Sequence, residues 1–452
     1  NIPKNRIRNC QKLYTLIMKY CIICLYLMLA SVFEVKAEVD PKFQIYLCFG
    51  QSNMAGDAFA EAEDMVVDER FKMLETSNGT STRTKGQWYV ATPPIVAQGE
   101  YTKVGVADYF GRTMVAALPA DQKVGVVEVA VNGADIRSFM SEQAEFFNPW
   151  HSDNFAKYDN DPYKRLVEMA RIAQQSGVIK GILLHQGEAN LLIQDEVYYG
   201  NPEWPNYVKT IYERLLSDLK LNADEVPLLV GEVVGASEGG ECAVHNEVIA
   251  QVPSVIPTAH VISSEGCPGI VLHFIREGYR LLGKRYALKM LELLGYQFQA
   301  SETGPQGPVL RGNSYTREYG EPNPAFDYTV VSGAVNGTPQ LTCEATPTSP
   351  VGTYPIRISR GSIEEDNVDL FCGMLTITKA PRKLGDVNAD NVLDEKDMTA
   401  VINHIMGWPQ EGIFDEEMAN VSQDADGKVD VVDLVMLINL IEQERKEQPT
   451  TD

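Results

Sequence analysis

Between residues 42 and 297 the chain repeats one pattern: a short apolar run rich in strand formers, then a stretch with apolar residues at helical spacing. Residues 43–49 (FQIYLCF), 124–130 (VGVVEVA), 178–184 (VIKGILL) and 227–231 (PLLVG) read as strands. Residues 163–175 and 207–219 carry apolar side chains three and four apart, and residues 277–294 close the region as a further helix. Strands that alternate with helices in this way predict a parallel sheet covered on both faces. Such a sheet also says where to look for chemistry, because open α/β sheets hold their ligands beyond the carboxyl ends of the strands.

Two other regimes follow. From about residue 308 to 380, strand formers alternate with Gly, Pro, Asn and Ser, as in Val330-Val331-Ser332-Gly333 and Thr353-Tyr354-Pro355-Ile356-Arg357-Ile358. This predicts a small all-β unit, joined by a Gly/Pro-rich linker at residues 301–307. From residue 384 onward, two similar segments each place an Asp-rich loop before an apolar helix, which reads as an internal duplication. The expected boundaries are 1–37 for a leader, 38–299 for the α/β domain, 300–380 for the β domain and 384–446 for the last module.

The leader has a basic start (Lys4, Arg6, Arg8, Lys12, Lys19), an apolar run at residues 21–33 and small residues around Val35-Lys36-Ala37. That order predicts a secretory signal cleaved after Ala37, with a membrane anchor as the alternative. The expected location is therefore secreted: extracellular, cell-surface or periplasmic. Of the eight cysteines, Cys10, Cys21 and Cys24 leave with the leader. Cys48, Cys242, Cys267, Cys343 and Cys372 remain, an odd number, with Cys242–Cys267 and Cys343–Cys372 as candidate pairs. The formal net charge of −23 argues against nucleic acid or an anionic membrane as a partner.

The first strand runs into Gly50-Gln51-Ser52-Asn53-Met54-Ala55-Gly56. A serine there can be a helix cap, but the turn also aims free N–H groups at a developing anion. Asn132-Gly133-Ala134-Asp135 follows a second strand, His185-Gln186-Gly187-Glu188-Ala189-Asn190 a third, and Leu272-His273-Phe274 precedes the last helix. Together these blocks offer a hydroxyl nucleophile, an imidazole base, a carboxylate and amide donors, the set that acyl transfer requires. His185 suits a structural hydrogen bond beside the site, and His151, His245, His260 and His404 suit surface or packing positions. Trp88, Tyr89, Trp150 and Trp204 could stack on sugar rings or serve as partly exposed core. No His/Cys/Asp spacing suggests a catalytic metal.

On the blocks at 50–56, 185–188 and 273–274 the chain resembles the SGNH hydrolases, and within them the sialate O-acetylesterase and acetylxylan esterase branch. The resemblance implies a three-layer α/β/α, flavodoxin-like fold. It implies Ser52 as nucleophile, His273 as general base, and an oxyanion hole from the Ser52 and Gly133 N–H groups plus the side-chain amide of Gln186, with Asn190 second. Many SGNH enzymes carry an Asp three residues before the histidine; here that residue is Ile270. Glu188 is then the expected acidic partner, with Glu265 as fallback.

In the last module, Asp386, Asn388, Asp390, the Val392 carbonyl, Asp394 and Asp397 fall at loop positions one, three, five, seven, nine and twelve. Hard oxygens at this spacing suit calcium. The second loop offers Ser422, Asp424, Asp426, Lys428, Asp430 and Asp433, weakened by serine at its first position. The pair resembles a type I dockerin, which implies a cohesin-like scaffold partner docked on helices 398–406 and 434–442. The β unit resembles the MBG repeat, read as a spacer before a glycan-binding role. The leading function is serine-based removal of O-acetyl groups from polysaccharide, foremost acetylated xylan, with calcium as the structural cofactor and none for catalysis. Sialate deacetylation, a lipase or thioesterase, and a non-catalytic carbohydrate-binding or scaffold protein are the alternatives.

Overall fold

The computed structural model describes residues 39–80, 82–96, 102–140, 152–303, 307–379, 383–390, 392–410, 412–424 and 427–447. The expected signal segment, Trp150, His151 and Asp426 lie outside the described residues. The chain forms two compact units. The first ends at Tyr296 and takes in Ala300–Pro308 and Asp366–Asp369. Within it, Lys284 and Asp369 form a buried ion pair at 2.6 Å, and Asp369 also accepts the Ser301 N–H.

The strands of the first unit are β1 (Phe43–Gly50), β2 (Ala58–Phe59), β3 (Phe71–Leu74), β4 (Trp88–Val90), β5 (Lys103–Val104), β6 (Lys123–Ala130), β7 (Val178–His185), β8 (Leu192–Gln194), β9 (Val197–Tyr199), β10 (Leu228–Gly231), β11 (Ala259–Ile262), β12 (Gly269–Ile270) and β13 (His273–Phe274). Seven form the central sheet, in the order β11-β10-β7-β1-β6-β3-β4. It is parallel except for β4, which runs antiparallel at one edge. All eight residues of β1 are buried, as expected for a central strand covered on both faces. Each fully buried Ile or Leu there contributes about 1.5–3 kcal/mol of apolar transfer. Helices Val106–Ala117 and Arg276–Leu293 pack on one another, as do Pro162–Ala173 and Trp204–Leu219.

β1 is flanked by β6 and β7, the strands that follow it on either side. The chain therefore changes winding direction at β1, and its carboxyl end is the crevice where such sheets bind ligands. Ser52 stands there, two residues beyond Gly50. Trp88 lies at the opposite end, 4.8 Å from the Phe43 ring at the start of β1, and Trp204 is fully buried. Trp204 is a core residue, and Trp88 is a half-buried packing residue at the end of the sheet away from Ser52.

The second unit holds strands grouped as Phe298–Gln299, Asp369–Phe371 (from Leu370 onward), Val309–Gly312 and Tyr328–Ser332, and as Tyr315–Glu318, Gly373–Thr378, Gly352–Ser359 and Gln340–Thr342. Ala345, Ile356, Leu375 and Ile377 form a core there. Helices Glu395–Met406, Glu416–Ala419 and Val431–Glu447 enclose a second core of Val387, Leu393, Val401, Val421, Leu437 and Ile441. Among the described residues no helix is long and apolar enough to cross a membrane.

Neither candidate disulfide is formed: all five described cysteines are free. Cys343 follows an edge strand and Cys372 precedes Gly373–Thr378, with Gly352–Ser359 lying between them. Two strand spacings amount to about 10 Å, beyond the ~7 Å that a disulfide can bridge.

Candidate active site

Gly50 ends β1, and the chain turns directly into the short helix Ser52–Ala55. Ser52 is thus the first helical residue, its N–H free of intrahelical bonding and its side chain almost buried. Its Oγ lies 2.8 Å from His273 Nε2. His273 comes from β13, which pairs with β12 in a tight hairpin that sets Ile270 opposite His273. The imidazole is pushed below its ordinary range by burial, an effect opposed by the Asp57 carboxylate and reinforced by Lys103. It is therefore neutral near pH 7 and able to take a proton from Ser52.

Asn53 fastens the histidine hairpin. Its Oδ1 accepts from Tyr279 Oη at 2.7 Å and from the Phe274 N–H at 3.3 Å, and its Nδ2 donates to the Leu272 carbonyl at 2.8 Å. The residues on both sides of His273 are thus held by one buried amide.

The structure sets Glu188, the expected acidic partner, on Asn53. Its Oε1 accepts from Asn53 Nδ2, and its Oε2 has no partner among the described residues. Burial pushes its carboxyl up to about 7. The carboxylate in contact with His273 is instead Asp57, whose Oδ2 stands 3.3 Å from Nδ1. The fallback Glu265 is exposed in the loop before β12. Asp57 lies one residue past the Gly50–Gly56 motif, so proximity to that motif was the available signal.

Gln186, the expected oxyanion amide, is bonded elsewhere. Its Nε2 already faces the Gln51 Oε1 (3.0 Å), the Ala134 carbonyl (3.1 Å) and Asn190 Oδ1 (2.6 Å), while its Oε1 accepts from Trp204 Nε1 at 2.6 Å. Its two amide hydrogens are used within a fully buried network, leaving none for an oxyanion. Asn190 is the amide with capacity to spare. Its Oδ1 accepts from Gln186 and from the Ile136 N–H at 2.8 Å, whereas its Nδ2 is buried without a partner among the described residues. These bonds also stitch the Asn190 turn to the turn that carries Gly133, whose φ of +66° suits glycine.

His185 is fully buried beside Phe274 and Tyr286, with its pKa lowered to about 3 by burial. It is neutral and structural. His245, lowered to about 4 for the same reason, packs edge-on against Trp204.

In the helical module the two loops share one clasp. Asp397 accepts the Val387 and Asn388 N–H groups on Oδ1 (3.0 and 3.3 Å) and that of Asp394 on Oδ2 (3.0 Å). Asp433 accepts the Ser422 and Asp430 N–H groups, both at 2.8 Å. Asp390 N–H is shared by Asp386 Oδ1 and Asn388 Oδ1, and Val392 N–H bonds Asp390 Oδ1. The Lys396 ammonium stands 3.6 Å from both Asp390 and Asp394. Among the described residues no group of three or more His, Cys, Asp or Glu is arranged to hold a metal. The donor set nonetheless fits a hard cation, because all its donors are oxygen. Burial, with Asp386 adding to it, raises the Asp397 carboxyl, a penalty that a divalent ion would relieve.

Comparison with known proteins follows the same division. A family model described as carbohydrate esterase, sialic acid-specific acetylesterase matches residues 42–292. An MBG domain (YGX type) model matches 311–368, and a dockerin type I domain model matches 384–442. Among solved structures, a protein from Arabidopsis thaliana is 19% identical, with 56% of this chain and 99% of that one covered and a TM-score of 0.42. A carbohydrate acetylesterase from Xanthomonas citri is 15% identical over 70% of this chain and 62% of its own, with a TM-score of 0.40. NanS is 15% identical over 57% of this chain and 99% of its own, with a TM-score of 0.44.

Proposed function

Because this chain belongs to the carbohydrate esterase family of sialic acid-specific acetylesterases, we propose that Ser52 and His273 remove O-acetyl groups from an acetylated polysaccharide, foremost acetylated xylan. The chain is a carboxylic ester hydrolase acting on carbohydrate acetate esters, and it carries an MBG domain and a dockerin type I domain. The observation that carries the mechanism is the 2.8 Å contact between Ser52 Oγ and His273 Nε2.

In this reading Ser52 Oγ attacks the acetyl carbonyl while His273 Nε2 takes its proton. The oxyanion is held by the Ser52 and Gly133 N–H groups and by Asn190 Nδ2. Collapse expels the sugar hydroxyl, which leaves with the proton from His273. Water, deprotonated by the same imidazole, then attacks the acetyl-serine; the C–Oγ bond breaks, His273 returns the proton to Ser52 Oγ, and acetate is released.

The choice of a polymer rests on two observations. The site is open: the His273 side chain is 36% exposed, and Ile270 across the hairpin from it is 65% exposed. A dockerin type I domain on the same chain suits an exported enzyme anchored to a cohesin-bearing scaffold at an insoluble substrate. The family's own description favours O-acetylated sialic acid as the second reading. Acetate release from acetylated xylan and from O-acetylated sialic acid separates them. A kcat/KM at least tenfold higher on xylan supports the polymer; the reverse ratio assigns the sialate.

For the dockerin domain, calcium would be held by Asp386, Asn388, Asp390, the Val392 carbonyl, Asp394 and Asp397 in the first loop. In the second it would be held by Ser422, Asp424, Asp426, Lys428 through its carbonyl, Asp430 and Asp433. The ion would supply structural cross-linking only. Millimolar calcium, about a thousandfold above a micromolar Kd, adds about 4 kcal/mol to the bound fold. That raises the melting temperature of a module this small by more than about 10 °C. Calorimetry of the full chain with calcium and then with chelator checks it. A transition that does not move would remove calcium from the module, and ester hydrolysis should be equal in both conditions.

A further inference from the structure

Resting on the Ser52–His273 reading, we propose that Asp57, clasped by Lys103, is the carboxylate that orients His273, taking over from position 270, where this chain has isoleucine.

The imidazole has a partner facing each nitrogen. Nε2 meets Ser52 Oγ at 2.8 Å, and Nδ1 meets Asp57 Oδ2 at 3.3 Å. A carboxylate at Nδ1 selects the tautomer with the proton on Nδ1, which leaves the Nε2 lone pair for the serine proton. It also steadies the imidazolium that forms once the proton has moved. The 3.3 Å separation is long for a bond of this kind, and such contacts tighten in the substrate complex.

Among the described residues, the other carboxylates that the sequence offered for the task stand elsewhere. Glu188 is taken up by Asn53, and Glu265 is exposed in its loop. Ile270 lies directly across the hairpin from His273 and is exposed, so its position is near enough but its chemistry is wrong.

The backbone explains how Asp57 arrives. Gly56 adopts φ +88°, and a Cβ there would lie 2.4 Å from the Val104 carbonyl, so only glycine lets the two segments approach. β2 then pairs antiparallel with β5, Ala58 opposite Val104 and Phe59 opposite Lys103. This register brings the Lys103 ammonium onto Asp57 Oδ1 while Oδ2 remains on the histidine. Lys103 thus serves two purposes. It pins the carboxylate, and its charge adds to the burial that keeps His273 neutral although an acid stands beside it. Asp57 and Lys103 are the charged groups acting on His273. Arg276, three residues further on, is occupied by Glu61 and Glu277.

Asp57 and Lys103 act through His273 and are positioning residues. The test is hydrolysis of an aryl acetate by the full chain from pH 5 to 9, comparing wild type, Ser52→Ala, Asp57→Asn and Lys103→Gln, with a melting curve for each. Asp57→Asn is expected to lower kcat about 10²–10⁴-fold with KM changed no more than a few fold. Removing its negative charge disfavours the imidazolium, so the acid limb of kcat/KM should move to lower pH. Lys103→Gln should cost less than Asp57→Asn and move the same limb to higher pH. A residue with a merely structural role would not shift the limb in opposite directions in the two variants. If folded Asp57→Asn keeps kcat within threefold and its acid limb unmoved while Ser52→Ala is inactive, the assignment of Asp57 fails and the esterase reading stands. If Ser52→Ala keeps its activity, the underlying reading fails with it.

Discussion

Ser52→Ala is expected to lower kcat on an aryl acetate by about 10⁴–10⁶-fold, the scale seen when a serine hydrolase loses its nucleophile. The change removes one oxygen from a nearly buried side chain and one hydrogen bond to His273. The expected stability cost is therefore about 1 kcal/mol, and the protein should melt close to wild type. Glu188→Gln is the matching control. A glutamine retains an oxygen to accept from Asn53 Nδ2, and the carboxyl it replaces, raised to about 7 by burial, is already substantially protonated at neutral pH. Its kcat should stay within about tenfold of wild type, because the hairpin clamp through Asn53 survives. Initial rates at pH 7.5 together with circular dichroism melts distinguish the two. A Glu188→Gln variant as inactive as Ser52→Ala would show that the reaction uses the carboxylate charge itself, and the role expected from the family resemblance would return to Glu188.

The sequence made the central sheet legible because its strands are apolar on both faces. The runs at 43–49, 124–130, 178–184 and 227–231 differ from β1, β6, β7 and β10 by one residue at an end. The edge strands β4 and β11 were not read, nor was β3, which lies between β4 and β6. They are three or four residues long, and β4 is half-exposed along its whole length, so neither alternation nor an unbroken apolar run marks them. The same division holds at the site. Ser52 and His273 sit in motifs where local sequence dictates local geometry, and folding brings them within hydrogen-bonding reach. The acid is different. Asp57 reaches His273 only because β2 finds β5 across 45 residues and because Gly56 permits the approach. Nothing in the spacing near residue 270 encodes that contact. The choice between Gln186 and Asn190 was equally hidden. Both amides lie in one turn, and what commits Gln186 is the arrival of Gln51, Ala134 and Trp204 from three other segments.

That commitment leads to the remaining large effect. Asn190 Nδ2 is a buried donor with no partner among the described residues, a state that costs about 1–3 kcal/mol. Native proteins keep few such groups, and an unpartnered amide in the turn beyond β7, at the carboxyl end of the sheet, suits an oxyanion donor before substrate arrives. The amide cannot rotate away, because its Oδ1 is held by Gln186 Nε2 and the Ile136 N–H. Asn190→Ala is therefore expected to lower kcat about 10²–10³-fold with KM nearly unchanged, since the bond is made to the tetrahedral oxyanion and not to the ester in its ground state. The alanine also drops two structural bonds, so Asn190→Asp provides the check: it keeps the accepting oxygen and loses only the donor. It should be at least as slow as Asn190→Ala, because it sets a negative charge or a competing acceptor where negative charge develops. Gln186→Ala should behave differently, losing stability through its four broken contacts before it loses kcat in the folded fraction. Should Asn190→Ala and Asn190→Asp both turn over at the wild-type rate, the oxyanion would have to be held by the Ser52 and Gly133 backbone N–H groups alone.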